Sequence, residues 1–185
     1  MLTKSQIRNK ILLRLKTQKE EERNKKSKII KERLFKTREF IEAKTAMFYI
    51  AFGGEVNTQD MIKEALKLGK IVAVPVCRRN NRVIRPCAFD NNTKLKEGPY
   101  GICEPAIERF IDVKDLDLVV VPGVAFTRKG NRLGRGRGCY DYFLNKLPKK
   151  VASFGLAFDF QILPFIPATK TDVSVKRVIS NEAIT

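Results

Sequence analysis

The sequence predicts an α/β protein: one domain with a mostly parallel sheet, helices on both faces, and a helical pair at the N-terminus. Three observations predict it. From residue 45 onward, short apolar runs alternate with helical segments. Those runs are apolar at successive positions instead of every second one, as strands buried on both faces require. The first 43 residues, by contrast, show only helical periodicity. No internal repeat or linker interrupts the chain, so residues 1–185 read as a single domain, with 1–43 packed on a sheet built from 45–185.

In the helical block, Ile7, Ile11 and Leu15 recur at i, i+4 and i+8, which puts them on one face. Thr17-Gln18-Lys19-Glu20 has the capping-box pattern and is expected to start a second helix. Its charged middle gives way to a stripe of Ile30, Leu34 and Ile41. Residues 45–50 form the first apolar run and lead to Gly53-Gly54. Residues 58–68 are helical, capped by Asn57 or Thr58 and stopped at Gly69. Residues 71–76 are β-branched and strand-like, and 83–89 are another candidate strand. Leu118–Val121 is the strongest buried-strand signal and ends at Pro122-Gly123. A helix over 140–147, a strand over 151–158 and a last strand over 173–179 complete the chain. In such sheets ligands bind beyond the carboxyl ends of the strands.

Composition narrows the chemistry. The chain has no histidine, which excludes Ser-His-Asp and Cys-His catalysis and His-ligated zinc. Carboxylates, Lys, Arg, Tyr, Cys, backbone dipoles or a carboxylate-bound metal remain. With 37 Lys+Arg against 20 Asp+Glu, the net charge is +17. That charge suits nucleic acid, small anionic ligands such as nucleotides, or a solvated basic surface. Cys77, Cys87, Cys103 and Cys139 form no C-x-x-C, and without histidine they match no standard zinc site. Free thiols and a reduced, cytoplasmic setting are expected. No apolar run approaches the ~18 residues that a membrane span needs.

The most informative segment runs from Gly123 to Asp141. Gly130, Gly134, Gly136 and Gly138 interleave with Arg132, Arg135 and Arg137, between a buried strand and a helix. Glycines let backbone N–H groups approach phosphate oxygens, a helix N-terminus adds a positive dipole end, and arginine forks add bidentate donors. The segment is neither a Walker A motif nor a Rossmann fingerprint. It also reads as a tight turn with exposed arginines, or as an Arg-Gly RNA-binding tract, although its apolar flanks favour an ordered loop.

On these residues the chain resembles the 5-formyltetrahydrofolate cyclo-ligase (methenyltetrahydrofolate synthetase) family. Pro122-Gly123, Phe126, Gly130, Arg132-Leu133-Gly134, Gly136, Gly138 and Tyr140-Asp141 match its signature. Lys4-x-x-x-Arg8, Gly54-Glu55-Val56-x-Thr58 and Gly101-Ile102-x-Glu104-Pro105 match in order and spacing. The resemblance implies ATP-dependent closure of 5-formyltetrahydrofolate to 5,10-methenyltetrahydrofolate through a phosphorylated formyl group, with release of ADP and phosphate. It implies ATP binding by Lys4, Arg8 and the loop Arg132, Leu133, Gly134, Arg135, Gly136, Arg137, Gly138, Cys139 and Tyr140. It implies folate contacts from Ile50, Glu55 and Arg135 to Cys139, and catalytic parts for Arg132, Arg135 and Tyr140. Asp141 and Asp172 resemble the pair that holds Mg²⁺.

Each residue also has a plainer reading. Lys4 and Arg8 suit a solvated helix face, Asp141 a first-turn helix acid, Asp172 a turn, Glu55 a cap acid, and Ile50, Phe126 and Tyr140 the core. The chain departs from the family at Asn57, Cys139, Thr171 and Lys176. The expected partners are ATP and 5-formyltetrahydrofolate, polyglutamylated forms included, with no nucleic acid or membrane, and the expected state is a monomer. Two other readings are an RNA-binding module using the Arg-Gly loop and a folate-binding homologue with impaired catalysis.

Overall fold

The computed structural model describes residues 2–77, 82–98 and 101–182. Three helices come first: α1 (Lys4–Thr17), α2 (Glu20–Phe35) and the short α3 (Arg38–Glu42). Strand β1 (Thr45–Met47), helix α4 (Gln59–Lys67), and strands β2 (Ile71–Cys77) and β3 (Ile84–Phe89) follow. A small hairpin of β4 (Leu95–Glu97) and β5 (Cys103–Pro105) precedes β6 (Leu118–Val121). The hairpin of β7 (Ala125–Phe126) and β8 (Arg132–Leu133) leads to helix α5 (Cys139–Lys146). Strands β9 (Ala152–Ala157) and β10 (Arg177–Ser180) close the chain.

The main sheet has the order β10-β9-β6-β1-β2-β3. Every neighbouring pair in it is parallel except β2 with β3, which run antiparallel at the edge. From β1 the chain builds outward through β2 and β3, then returns to the other side of β1 with β6, β9 and β10. The reversal opens a crevice at the carboxyl ends of β1 and β6, where open α/β sheets take ligands.

Alternate strand residues split the core in two. Ala46, Val72, Val74, Leu118 and Val120, with Phe48 just past β1, pack with residues of α1 to α4. Met47, Ala73, Val119 and Val121 pack with Phe143 and Leu144 of α5 on the opposite face. Ile7, Ile11 and Leu15, the predicted stripe of α1, are all buried. Gly54 lets the loop after β1 meet the end of α1. Its φ is +84°, and a Cβ there would lie 2.0 Å from the Leu15 carbonyl oxygen.

Several expectations change. The capping box is at the start of α1: Thr3 accepts from the Gln6 N–H while the Gln6 side chain accepts from the Thr3 N–H. At the predicted place, α2 begins after Lys19 with no side-chain cap, because the Thr17 hydroxyl donates back to the Leu13 carbonyl. Ile41 is exposed and Phe40 is buried in its stead. The Thr37 cap ends the phase of α2 and starts α3 afresh, and Phe40 stacks on Phe35 at 4.0 Å. The first strand stops at Met47, and the last begins at Arg177 after an irregular approach.

Candidate active site

The carboxyl ends of β1, β2 and β6 and the loop between β8 and α5 surround a pocket of about 160 Å³. Ile50 and Phe52 reach it from beyond β1, Pro75 and Cys77 from β2, Pro122 from beyond β6, and Tyr140 from α5. A second pocket of about 560 Å³ lies on the other side of the loop, where Lys4 and Arg8 of α1 face Lys170 and Asp172. Gly134, Arg137, Gly138 and Asp141 line both pockets. The glycine-arginine loop is therefore the wall between a mostly apolar chamber and a mostly polar one.

The loop is held by its charged residues. Arg132, only 6% exposed, donates from Nη2 to Asp141 Oδ1 at 2.8 Å and from Nη1 to the Pro122 carbonyl at 3.4 Å. Its buried Nε has no acceptor among the described residues. Arg8 Nε donates to the Gly134 carbonyl at 2.8 Å, tying α1 to the loop. Arg135 donates from Nε and Nη2 to Glu55 Oε1 at 3.3 and 3.0 Å, with its guanidinium 4.1 Å over the Phe52 ring. Gly138 takes the left-handed conformation (φ +69°) that turns the loop into α5.

The structure brings the predicted residues together in two groups. Lys4, Arg8, Leu133, Gly136 and Asp172 line the polar chamber, with the shared loop residues. Ile50, Glu55, Arg132, Arg135, Cys139 and Tyr140 line the apolar one. Phe126 goes elsewhere: it is fully buried, wedged between Gly123 and Gly155, and lines neither pocket. Thr58, one of the two expected caps, stands at the N-cap of α4 but turns its hydroxyl to the Tyr49 carbonyl, and the Oδ1 of Asn57, the other, accepts from the Gln59 N–H instead.

Burial sets the electrostatics. It pushes the Glu55 carboxyl above the usual range, and the Arg135 guanidinium only partly offsets this. Burial likewise raises the Tyr140 hydroxyl well above its ordinary value, and that hydroxyl has no partner among the described residues. The Cys77 thiol is pushed up to about 12, by burial first and then by nearby Glu104, so it stays a thiol at neutral pH. Burial also acts to raise Asp172, but bonds from Lys4 and from the Thr169 N–H and hydroxyl outweigh it, and the net shift is downward.

Sequence reasoning missed Tyr49, Phe52, Pro75, Cys77 and Ile84 in the apolar chamber, and Arg82, Tyr142, Asn145 and Lys170 in the polar one. Tyr49 and Cys77 lie at or just beyond strand carboxyl ends, which is the signal that could have found them. Glu104 belongs to a motif noted without a role. It lines the apolar chamber and accepts from the Cys77 N–H at 2.7 Å.

Asp141 and Asp172 each use one carboxylate oxygen on the chain. Asp141 Oδ2 and Asp172 Oδ1 accept from none of the described residues. No cluster of three or more metal-ligating side chains occurs among the described residues. Two carboxylates supplemented by phosphate oxygens and water fit Mg²⁺, which prefers an octahedron of hard oxygens. All four cysteines are unpaired.

A family model described as the 5-formyltetrahydrofolate cyclo-ligase family matches residues 1–181. A Caenorhabditis elegans protein named probable 5-formyltetrahydrofolate cyclo-ligase is 33% identical over 177 residues, covering 86% of this chain and 83% of that one. The mouse 5-formyltetrahydrofolate cyclo-ligase is 28% identical over 188 residues, covering 96% and 93%. The solved structure of Aquifex aeolicus 5,10-methenyltetrahydrofolate synthetase superimposes with a TM-score of 0.86 at 30% identity, covering 98% of this chain and 91% of that one.

Proposed function

The chain belongs to the 5-formyltetrahydrofolate cyclo-ligase family, and we propose that its two chambers divide that family's reaction between them. ATP lies in the polar chamber and the reduced pterin of 5-formyltetrahydrofolate in the apolar one. The formyl oxygen attacks the γ-phosphorus and ADP leaves. N10 then adds to the activated formyl carbon and loses its proton, and cleavage of the carbon–oxygen bond releases phosphate and 5,10-methenyltetrahydrofolate. The observation that supports this division is the shared wall: Gly134, Arg137, Gly138 and Asp141 border both chambers, so a phosphoryl group held at the loop reaches either one.

The chain's residues then have distinct tasks. Lys4, Arg8 and the loop N–H groups hold phosphates, and Arg132, fixed in orientation by Asp141, neutralises charge that spreads over the transferring group. Among the described residues Glu55 Oε2 accepts only from the Phe52 N–H, at 3.3 Å, which leaves it lone pairs for the pterin 2-amino group and ring N–H. Tyr140 brings an unspent hydroxyl to the same chamber. Asp141 Oδ2 and Asp172 Oδ1 would hold Mg²⁺, which when bound supplies further neutralisation of phosphate charge. No step requires an imidazole, which suits a chain without histidine.

The proposed setting is cytoplasmic, as a monomer that binds neither membrane nor nucleic acid. The unpaired cysteines support a reducing environment. No helix among the described residues is long and apolar enough to cross a membrane. The test mixes the protein with Mg-ATP and (6S)-5-formyltetrahydrofolate and follows the near-UV absorbance of the methenyl product. Product that forms only with ATP present is the expected result. ATP binding with no product would instead support the folate-binding homologue without catalysis.

A further inference from the structure

Two guanidinium groups from distant parts of the chain flank the tight part of the glycine-arginine loop. A Cβ on Gly136 would lie 3.7 Å from Arg8 Cζ, and one on Gly138 would lie 3.9 Å from Arg82 Nη1. Both arginines line the polar chamber, Arg8 from α1 and Arg82 from the connection between β2 and β3. Their states differ. Arg8 is tied to the Gly134 carbonyl through Nε. Arg82 is exposed and makes no hydrogen bond or ion pair with the described residues. Its backbone is also unusual: with φ at +54°, it is the one non-glycine among the described residues in the left-handed region. A side chain there costs steric strain, and strain of this kind gathers at functional sites.

The charges around the loop give Arg82 its task. Arg132 and Arg135 are each paired with a carboxylate, Asp141 and Glu55, and Lys4 is paired with Asp172. A cation already matched by an acid adds little net charge to a phosphoryl group beside it. Arg82 brings a whole positive charge to Gly138, which borders both chambers. A transferring phosphoryl group spreads negative charge over its equatorial oxygens, and an arginine fork matches two of them. Resting on the reading above, we propose that Arg82 is a further catalytic residue, an arginine supplied in cis that grips the γ-phosphoryl group during its transfer. The bond from phosphorus to the ADP oxygen breaks as the bond to the formyl oxygen forms. Meanwhile the guanidinium donates two N–H bonds to the nonbridging oxygens and keeps its protons throughout.

The experiment compares the wild type with Arg82→Ala, Arg82→Gly and Arg82→Lys, with thermal melts of each. It reads turnover to the methenyl product, and the binding of ADP and of ADP–aluminium fluoride, a mimic of the phosphoryl group in transit, with Mg²⁺ and 5-formyltetrahydrofolate present. Arg82→Ala lowers kcat at least about 100-fold while KM for ATP changes less than about threefold. It weakens ADP–aluminium fluoride by a similar factor and leaves ADP affinity within about twofold. Arg82→Gly loses the same activity yet melts no lower than the wild type, because no Cβ then sits at the left-handed φ. Arg82→Lys keeps the charge without the fork and retains part of the kcat. Added guanidinium ion restores part of the kcat of Arg82→Gly and does not raise that of the wild type. Unchanged kcat in Arg82→Ala overturns the assignment while leaving the cyclo-ligase reading intact. Equal weakening of ADP and of its fluoride complex also overturns it, since that marks a contact made before transfer. Absence of turnover in the wild type overturns the reading it rests on, and the role of Arg82 with it.

Discussion

Arg132 and Asp141 lie nine positions apart, yet they form the most enclosed ion pair of the site, with side chains 3% and 19% exposed. Asp141→Ala leaves a buried guanidinium without its carboxylate and is expected to lower stability by about 3 kcal/mol, read from the urea unfolding midpoint. Asp141→Asn keeps an acceptor for Arg132 and removes the charge, so it costs less stability while still lowering kcat at least about tenfold. Equal stability of the two variants would contradict the pairing. At Glu55, burial raises the carboxyl, so protonation sets in above the ordinary glutamate range. Turnover that needs the carboxylate is expected to fall as pH drops through that raised value. Glu55→Gln should remove this acid limb and raise KM for the folate, as a pH series of kcat/KM would show. The linked stability effects have opposite signs. The folded state takes up a proton at Glu55 before the unfolded chain does, so its contribution falls as pH rises through that window. Asp172 is lowered, so its contribution is present above the ordinary aspartate value and lost as pH falls through the folded one. The residue types of this site were legible in the sequence, because phosphate chemistry calls for Gly and Arg at close spacing. Which arginine meets which acid was not, since Arg135 and Glu55 are 80 positions apart.

Helix α1 joins capping chemistry to the polar chamber. It places Lys4 in its first turn and Arg8 one turn later, and it is capped by Thr3 and Gln6. Thr3→Ala is expected to cost about 1 kcal/mol of helix stability, and by fraying the turn that holds Lys4 it should also raise KM for ATP. Unchanged ATP affinity in a variant that has lost this stability would separate the cap from the chamber. The far end of α1 depends on Gly54: Gly54→Ala drives a Cβ into the Leu15 carbonyl at a positive φ, and a loss above about 2 kcal/mol is expected in thermal unfolding. Helical periodicity made α1 and its buried stripe readable. It failed at Ile41, because the break at Thr37 reset the helical phase between α2 and α3. The small hairpins β4–β5 and β7–β8 were unreadable for a related reason: strands of two or three residues are too short to show a period.

Over the whole molecule, much of the +17 charge lies outside the two chambers. Lys26–Asp159, Lys31–Glu64, Arg109–Asp90 and Arg128–Glu182 are partly or largely exposed pairs of the kind that adds little stability. Electrophoretic titration with RNA is expected to show only non-specific binding, weaker than about 1 µM at physiological salt and falling as salt rises. Sequence-selective nanomolar binding would instead support the Arg-Gly loop as an RNA element. By itself the sequence determined the α/β class, most strand positions, the absence of imidazole chemistry and the loop that marks the family, because each depends on local periodicity, composition or one continuous segment. Only the tertiary structure decided that this loop is a wall with a chamber on each side. Only it showed that the chain reverses between β1 and β6 to open them. Those facts depend on contacts between residues far apart in the chain, formed by packing rather than by local preference, and a linear pattern does not encode which distant partner the packing brings near.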